Sequence, residues 1–168
     1  MKKTFRVLLA AGMLTALVAA VTLHAAAADP GDGNRLEASF TESAQSVTNR
    51  IADLGTLQLI NTGSGTVDGF GSATVVVGIT EDKSVSPCGA GSSSNAATRR
   101  IVLADGVLVL HELSTTCPTH GEPTINGTFQ VDGNSSTGRF AGAWGDGELS
   151  VNSATHTAYV DGKLHLAG

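Results

Sequence analysis

A chain of 168 residues with a formal net charge of −5 has room for one hydrophobic core but not comfortably for two domains. Three of its ten basic residues lie at the N-terminus. Once the leader described next is removed, seven basic residues face fifteen acidic ones, and the net charge is −8. This balance argues against nucleic acid and anionic membranes as partners, because neutralising phosphate groups requires a basic face.

The first 28 residues have the pattern of a secretory signal peptide. Three basic residues between positions 2 and 6 precede an uncharged stretch over 7–23, and the four alanines at 25–28 supply small residues for cleavage after Ala28. Uncleaved, the apolar stretch would act as an anchor, since a spanning helix needs about 20 apolar residues. We expect cleavage, and hence a secreted protein that makes no membrane contact once the leader is removed.

Residues 29–35 are predicted to be a flexible lead-in, and residues 36–168 to form a single domain. In this domain apolar residues alternate with polar ones, as over 72–80, which is typical of half-buried strands. In chain order we predict strands over about 36–47, 55–62, 70–80, 97–104, 107–115, 124–131, 138–151 and 155–166. Many short strands with close turns favour an all-β sandwich or barrel.

Asp-Gly pairs punctuate these strands and suit the two positive-φ positions of a type I′ hairpin turn. They stand at 68–69, 105–106, 132–133, 146–147 and 161–162. The alternation that flanks 105 and 161 predicts hairpins at those two places.

The hairpin at 105 has two distinct predicted faces. One face pairs Leu103 with Leu108, Ile101 with Leu110, and Arg99 with Glu112. The other face pairs Ala104 with Val107, Val102 with Val109, and Arg100 with His111. Both faces are apolar near the turn and ionic at the open end. One of them can fill the core, and the other needs cover, for which a partner subunit is one source.

The hairpin at 161 is predicted to turn its tyrosine inward and its histidines outward. Its core face would hold Thr157, Tyr159, Leu164 and Leu166. His156 and His165 share the solvent face with Ala158 and Lys163. Two histidine ligands alone do not make a metal site, so no metal and no cofactor is expected.

Cys88 and Cys117 both lie at the open end of the first hairpin. In an exported protein an even pair of cysteines predicts a disulfide. It would close a loop of about 30 residues and stabilise the fold by about 3–4 kcal/mol. A zinc site is not expected, since the chain has no Cys-x-x-Cys pair.

The run Ser136-Thr137-Gly138-Arg139-Phe140-Ala141-Gly142-Ala143-Trp144-Gly145 contains the pattern Gly-x-Phe-x-Gly-Ala-aromatic-Gly. It resembles the corresponding strand of the allene oxide cyclases and their dirigent relatives. The resemblance implies a small closed antiparallel β-barrel of about eight strands, with an apolar cavity and often a homotrimer. In such a strand Phe140, Gly142 and Trp144 would share one face, with the glycine leaving room between the rings.

The plant cyclases use an acid-and-asparagine segment to contact substrate, and residues 36–47 do not reproduce it. Cyclase activity is therefore not carried over, and secreted bacterial barrels of unassigned function look like closer kin. Phe140, Trp144, Leu108 and Leu110 are candidate ligand-binding residues. The alternative for Phe140 and Trp144 is that they are ordinary core anchors of a glycine-rich strand.

Glu112 is the candidate catalytic carboxylate, with Arg99 as its cross-strand neighbour. A carboxylate against apolar walls can have a raised pKa and act as a general acid or base. A structural Arg–Glu ion pair is the plainer interpretation. Hydrolase signatures are missing: the sequence has no Gly-x-Ser-x-Gly elbow and no His-Glu-x-x-His helix.

These observations leave three hypotheses. The first is a non-catalytic secreted barrel that binds a small apolar or amphiphilic molecule, or a protein on its outer face. The second is an isomerase or cyclase that acts inside the barrel through Glu112. The third is a structural protein of a surface or matrix.

Overall fold

The computed structural model describes residues 34–51, 55–119 and 122–168. The predicted leader and residues 29–33 of the predicted lead-in lie outside the described residues. Within them no α-helix forms, and no helix is long and apolar enough to cross a membrane.

The described chain forms nine β-strands. They are β1 (Asn34–Ile51), β2 (Thr56–Val67), β3 (Gly71–Asp82), β4 (Ser93–Leu103), β5 (Gly106–Thr119), β6 (Glu122–Val131), β7 (Thr137–Gly138), β8 (Asp146–Asn152) and β9 (Thr157–Leu164). Eight of them close a ring in the order β1-β2-β3-β4-β5-β6-β8-β9, with every neighbour antiparallel, and β7 pairs with β5. The predicted all-β closed antiparallel barrel is confirmed.

The predicted alternation sets which side chains face the barrel interior. In β3, Ala73, Val75 and Val77 are buried while the residues between them are exposed. Equivalent inward positions on the other strands supply Phe40 and Phe129, and Phe140 enters from the segment that follows β7. These side chains fill the apolar part of the barrel and form one continuous core.

The first strand begins earlier than predicted. Asn34 and Arg35 belong to β1 and pair with Leu164 and Lys163 of β9. Two residues of the predicted lead-in are therefore part of the barrel wall, because β9 extends far enough along β1 to pair with them.

The hairpin between β4 and β5 forms, but its register differs from the predicted one. The turn is Ala104-Asp105, so Ile101 pairs with Leu108, and Glu112 pairs with Ala97 rather than with Arg99. Gly106 has already joined β5, where a Cβ would collide with the carbonyl oxygen of Thr137 in β7. Each partner moves by two residues, which keeps every side chain on its predicted face.

The outer face of this hairpin is covered in part by the chain itself. Val109 is 1% exposed because the loop after β6 folds over it, and the Ser136 hydroxyl accepts a hydrogen bond from the Val109 amide at 2.9 Å. Val102, one pair closer to the turn, is still 43% exposed. The chain itself thus supplies some of the cover that this face needs.

The predicted hairpin at Asp161-Gly162 is wrong. This dipeptide lies inside β9, and Gly162 pairs with Gly147 of β8. The two glycines leave room for the ring of Phe129, whose Cε1 would lie 2.6 Å from a Cβ at Gly147. The predicted core face is wrong before this dipeptide, where Ala158 and Val160 point inward and Tyr159 is 52% exposed. After it the prediction is confirmed, since Leu164 is buried in the core and Leu166 packs against it.

The predicted strand over 138–151 is also wrong in its first half. Residues 139–143 form turns, and β8 begins only at Asp146. Gly138 and Gly142 have φ values of +62° and +74°, a conformation that ends an extended strand. Phe140 and Trp144 therefore do not share a strand face.

The predicted disulfide between Cys88 and Cys117 is confirmed. Its two Cα atoms are 5.6 Å apart, and it ties the loop before β4 to β5. The bond lies beyond the Ser93–Thr116 pair, at the open end of the hairpin, as predicted.

Candidate functional site

One end of the barrel interior is polar, and a buried arginine lies at its centre. Arg99 of β4 is 2% exposed and contacts two carboxylates, Glu112 of β5 and Glu42 of β1. Its Nε donates to Glu112 Oε1 at 2.5 Å, and its Nη1 donates to Glu42 Oε1 at 2.5 Å. All three side chains occupy inward positions of their strands, which explains why they meet.

Asn61 of β2 completes this cluster. Its Nδ2 donates to Glu42 Oε2 at 3.1 Å, while its buried Oδ1 has no hydrogen-bond partner. The guanidinium of Arg99 also lies 5.8 Å from the centre of the Phe40 ring, a cation–π distance. The cluster therefore joins the polar end of the interior to the apolar core.

Burial raises the pKa of Glu112, and the nearby Glu42 raises it further, although the attraction of Arg99 opposes both. Burial alone would lower the pKa of Arg99, but the two carboxylates outweigh it and raise that pKa. With both glutamates ionised, the three side chains would carry one excess negative charge. Arg99 therefore cannot neutralise both carboxylates at once.

The sequence-predicted neighbours Arg99 and Glu112 do come together. Guanidinium nitrogens lie 2.5 and 3.4 Å from the two oxygens of Glu112, and its side chain is 3% exposed. A general acid or base must reach the proton that it transfers. The geometry of Glu112 is that of a buried ion pair.

The four predicted ligand-binding residues lie in two different places. Leu108, Leu110 and Phe140 are each 0% exposed and packed in the core. Trp144 is 45% exposed on the outside, where its ring stacks on that of His165 with centroids 3.6 Å apart. The structure does not bring the four together.

An open groove of about 500 Å³ crosses the outer face of β3, β4, β5 and β6. We call it the outer groove. The residues that line it from outward positions of the strands are Gly78, Thr80, Ala96, Thr98, His111, Leu113, Thr128 and Gln130. Gly78 and Ala96 leave space because they are small. Leu113 is 68% exposed and supplies the apolar wall. The groove therefore combines apolar surface with hydroxyl and amide groups.

Three side chains at the outer groove form a chain of hydrogen bonds. His111 Nε2 lies 3.0 Å from Asp132 Oδ2, and His111 Nδ1 lies 3.3 Å from Thr98 Oγ1. Asp132 is fixed in turn, since its Oδ1 accepts from the backbone amides of Asn134 and Ser135 at 3.1 Å each. Hydrogen bonds from Ser135, together with that of His111, outweigh burial and lower the pKa of Asp132.

Sequence reasoning did not find this chain of hydrogen bonds. Asp132 is 21 residues from His111, and the two meet only because β5 and β6 pair His111 with Gln130. The alternation placed His111 on the outer face, but the identity of its neighbour required the register between the two strands.

A second outer groove of about 440 Å³ lies over β6, β8 and β9. Its lining includes Tyr159 and two carboxylates, Glu148 and Asp161, which pair across the strands. Asp161 is held by Arg35 through two hydrogen bonds of 3.0 and 3.1 Å. In the part of the chain that the structure describes, no group of histidines, cysteines and carboxylates could hold a metal ion.

No family model matches this sequence, no curated protein is significantly similar to it, and no solved structure matches it significantly. Closed antiparallel barrels occur in several unrelated families. The resemblance to the allene oxide cyclases therefore stays a prediction.

Proposed function

We propose that this barrel is a secreted binding protein that holds a small amphiphilic molecule in the outer groove. The volume of the groove, about 500 Å³, carries this proposal, since ligand pockets typically span about 300–1,000 Å³. Leu113 and Ala96 offer apolar contact to such a ligand. Thr80, Thr128 and Gln130 offer hydroxyl and amide groups that orient its polar end.

The packing of the interior supports the outer groove over an apolar cavity as the site. Leu108, Leu110 and Phe140 are fully buried and belong to one core cluster. The buried polar groups at the other end of the interior bind one another. A ligand that entered the barrel would have to displace these contacts, whereas the outer groove is already open to solvent.

Two features support export. The N-terminal pattern is that of a cleaved leader, and the Cys88–Cys117 disulfide suits an oxidising compartment. Sequencing the N-terminus of protein recovered from the medium should give Asp29 as the first residue.

Gly78→Val tests the site. Nothing lies within 4 Å of a Cβ at Gly78, so a side chain at this position begins in the open space of the groove, and a β-branched residue suits an exposed strand position. The matched control is Thr74→Val, on the same outer face of β3 but outside the groove lining. The probe is N-phenyl-1-naphthylamine, a neutral amphiphilic fluorophore.

We expect wild type and Thr74→Val to bind the probe alike, and Gly78→Val to bind it at least about tenfold more weakly, a difference of about 1.4 kcal/mol. Thermal unfolding of both variants confirms that they are folded. Absence of binding to wild type, or equal binding by Gly78→Val, would contradict the proposal.

A further inference from the structure

We propose that the outer groove also cleaves small esters by acyl transfer to Thr98. His111 is the general base in this inference, and Asp132 is a positioning residue. The inference depends on the proposed function, because the substrate would occupy the same groove. It adds a chemical reaction to binding, and it names carboxylic esters as the class of molecule on which the groove acts.

The hydrogen bonds fix the direction of proton transfer. A carboxylate can only accept, so in the neutral imidazole the proton lies on Nε2, which faces Asp132 at 3.0 Å. Nδ1 is then an acceptor, and the Thr98 hydroxyl donates to it at 3.3 Å. Nucleophile, base and orienting carboxylate thus stand in the order required for an activated hydroxyl, at distances typical of a site without substrate.

Strand pairing and backbone hydrogen bonds hold the three residues in place. Thr98 and His111 are directly paired across β4 and β5, and both project into the outer groove. The side chain of Asp132 is only 18% exposed and is held by two backbone amides of the following turn. Gln130, the partner of His111 in β6, also lines the groove and supplies it with a side-chain amide donor, the kind of group that can stabilise a developing oxyanion.

The reaction balances with water as the only co-reactant. Thr98 Oγ1 attacks the ester carbonyl carbon and passes its proton to His111 Nδ1. The bond to the leaving alcohol then breaks, and the alkoxide takes the proton from Nδ1. Water attacks the acyl-threonine, again giving a proton to Nδ1. The acyl–oxygen bond breaks, Thr98 Oγ1 takes that proton back, and the carboxylic acid leaves.

The apolar wall and the open shape of the groove set the substrate class. Leu113 and Ala96 flank the space beside Thr98 and suit a short aliphatic acyl chain. Gln130 is the side-chain amide that the groove lining offers to stabilise the carbonyl oxygen, and this modest stabilisation suits esters, whose alkoxide leaves more readily than the amine of an amide.

An exposed histidine alone can hydrolyse an activated ester, so the test must separate the two mechanisms. With p-nitrophenyl acetate as the probe, we compare wild type with Thr98→Val, Thr98→Ser and His111→Gln. His156→Asn is the histidine control, because His156 is exposed, lies outside the groove lining and has a φ of +54°, which asparagine tolerates. Acid quenching followed by peptide mass spectrometry detects an acetyl group on Thr98.

We expect Thr98→Val and His111→Gln each to lose at least about a hundredfold in hydrolysis rate, since a positioned base usually contributes about 10²–10⁴-fold. His156→Asn should keep the wild-type rate. Thr98→Ser should be clearly more active than Thr98→Val, because its hydroxyl can still be acylated, and the acetyl adduct should appear on residue 98 in wild type. For the positioning role of Asp132, Asp132→Asn should shift the ¹⁵N resonances of His111 away from the Nε2-protonated tautomer.

Hydrolysis that persists in Thr98→Val, or the absence of an acetyl adduct on Thr98, would overturn the inference. A wild-type rate no higher than that of His111→Gln would do the same. Failure of the proposed function is distinguishable, because binding of N-phenyl-1-naphthylamine is measured without any reaction. A protein that binds this probe but forms no adduct refutes only the acyl-transfer step.

Discussion

Among single residues, Arg99 is the cation shared by two buried carboxylates. Its guanidinium contacts Glu42 and Glu112, and all three side chains are at most 8% exposed. Removing one member of such a buried cluster lowers the stability by more than the intact ion pair contributes, since the remaining charge stays buried without a partner. The cluster is therefore sensitive to which of its members is removed.

Removing the arginine should be far more damaging than neutralising one glutamate. Arg99→Met leaves two buried carboxylates and should lower the free energy of unfolding by about 3–5 kcal/mol at neutral pH. Glu112→Gln should cost clearly less, because Arg99 keeps its bond to Glu42. Urea unfolding of both variants measures the difference; equal losses would show that the charge balance does not govern stability.

The raised pKa of Glu112 predicts a direction for the pH dependence of stability. A carboxyl with a folded pKa above its unfolded value contributes stability that is fully present below the unfolded pKa and is lost as pH rises through the folded pKa. Glu112→Gln cannot ionise and lacks this loss. The stability of wild type relative to Glu112→Gln should fall as pH rises from about 4 upward, and a rise instead would mean that pairing with Arg99 outweighs burial.

At the scale of elements, β8 and β9 show where sequence patterns stop being informative. Alternation correctly predicted the faces of the β4–β5 hairpin because burial has the same period as the strand. An Asp-Gly pair, however, suits both a turn and a strand that needs room beside it. At 161–162 the ring of Phe129 occupies that room, and Phe129 is more than 30 positions away in the chain.

Gly162→Ala should therefore act as a core defect, although it lies in a regular strand. A Cβ there would collide with the carbonyl oxygen of Asp146 and lie 2.8 Å from Phe129 Cζ. We expect a loss of about 1–3 kcal/mol. The matched control, Gly78→Ala, meets nothing and should be neutral or stabilising. Chemical denaturation compares the two; similar effects would contradict the close packing of β8 and β9.

The disulfide is a second device at the level of elements. It joins residues 29 positions apart, and opening it by Cys88→Ser with Cys117→Ser should lower the free energy of unfolding by about 3–4 kcal/mol. The barrel should still form, because β4 and β5 remain paired along their length. Loss of the β-sheet circular dichroism spectrum in the double variant would show that the bond is needed for folding itself.

At the scale of the whole molecule, closure of the ring creates both the filled interior and the outer groove. The nearness of Arg99 and Glu112 was predictable from one hairpin, since both lie on its inner face. Glu42 was not, because β1 reaches the cluster only when the barrel closes. The outer groove spans four strands, so its shape depends on the registers of three strand pairs. The residue pattern within a single strand does not predict these registers.

If the outer groove is the binding site and the interior is solid core, a ligand must perturb the outer face of β4, β5 and β6 and leave the inner face unchanged. Amide chemical-shift mapping during titration with N-phenyl-1-naphthylamine tests it most directly. We predict that the shifts will concentrate at Thr98, Leu113 and Gln130, with Leu108 and Leu110 unchanged. Shifts centred on Leu108 and Leu110, with the groove unchanged, would show that the ligand binds inside the barrel instead.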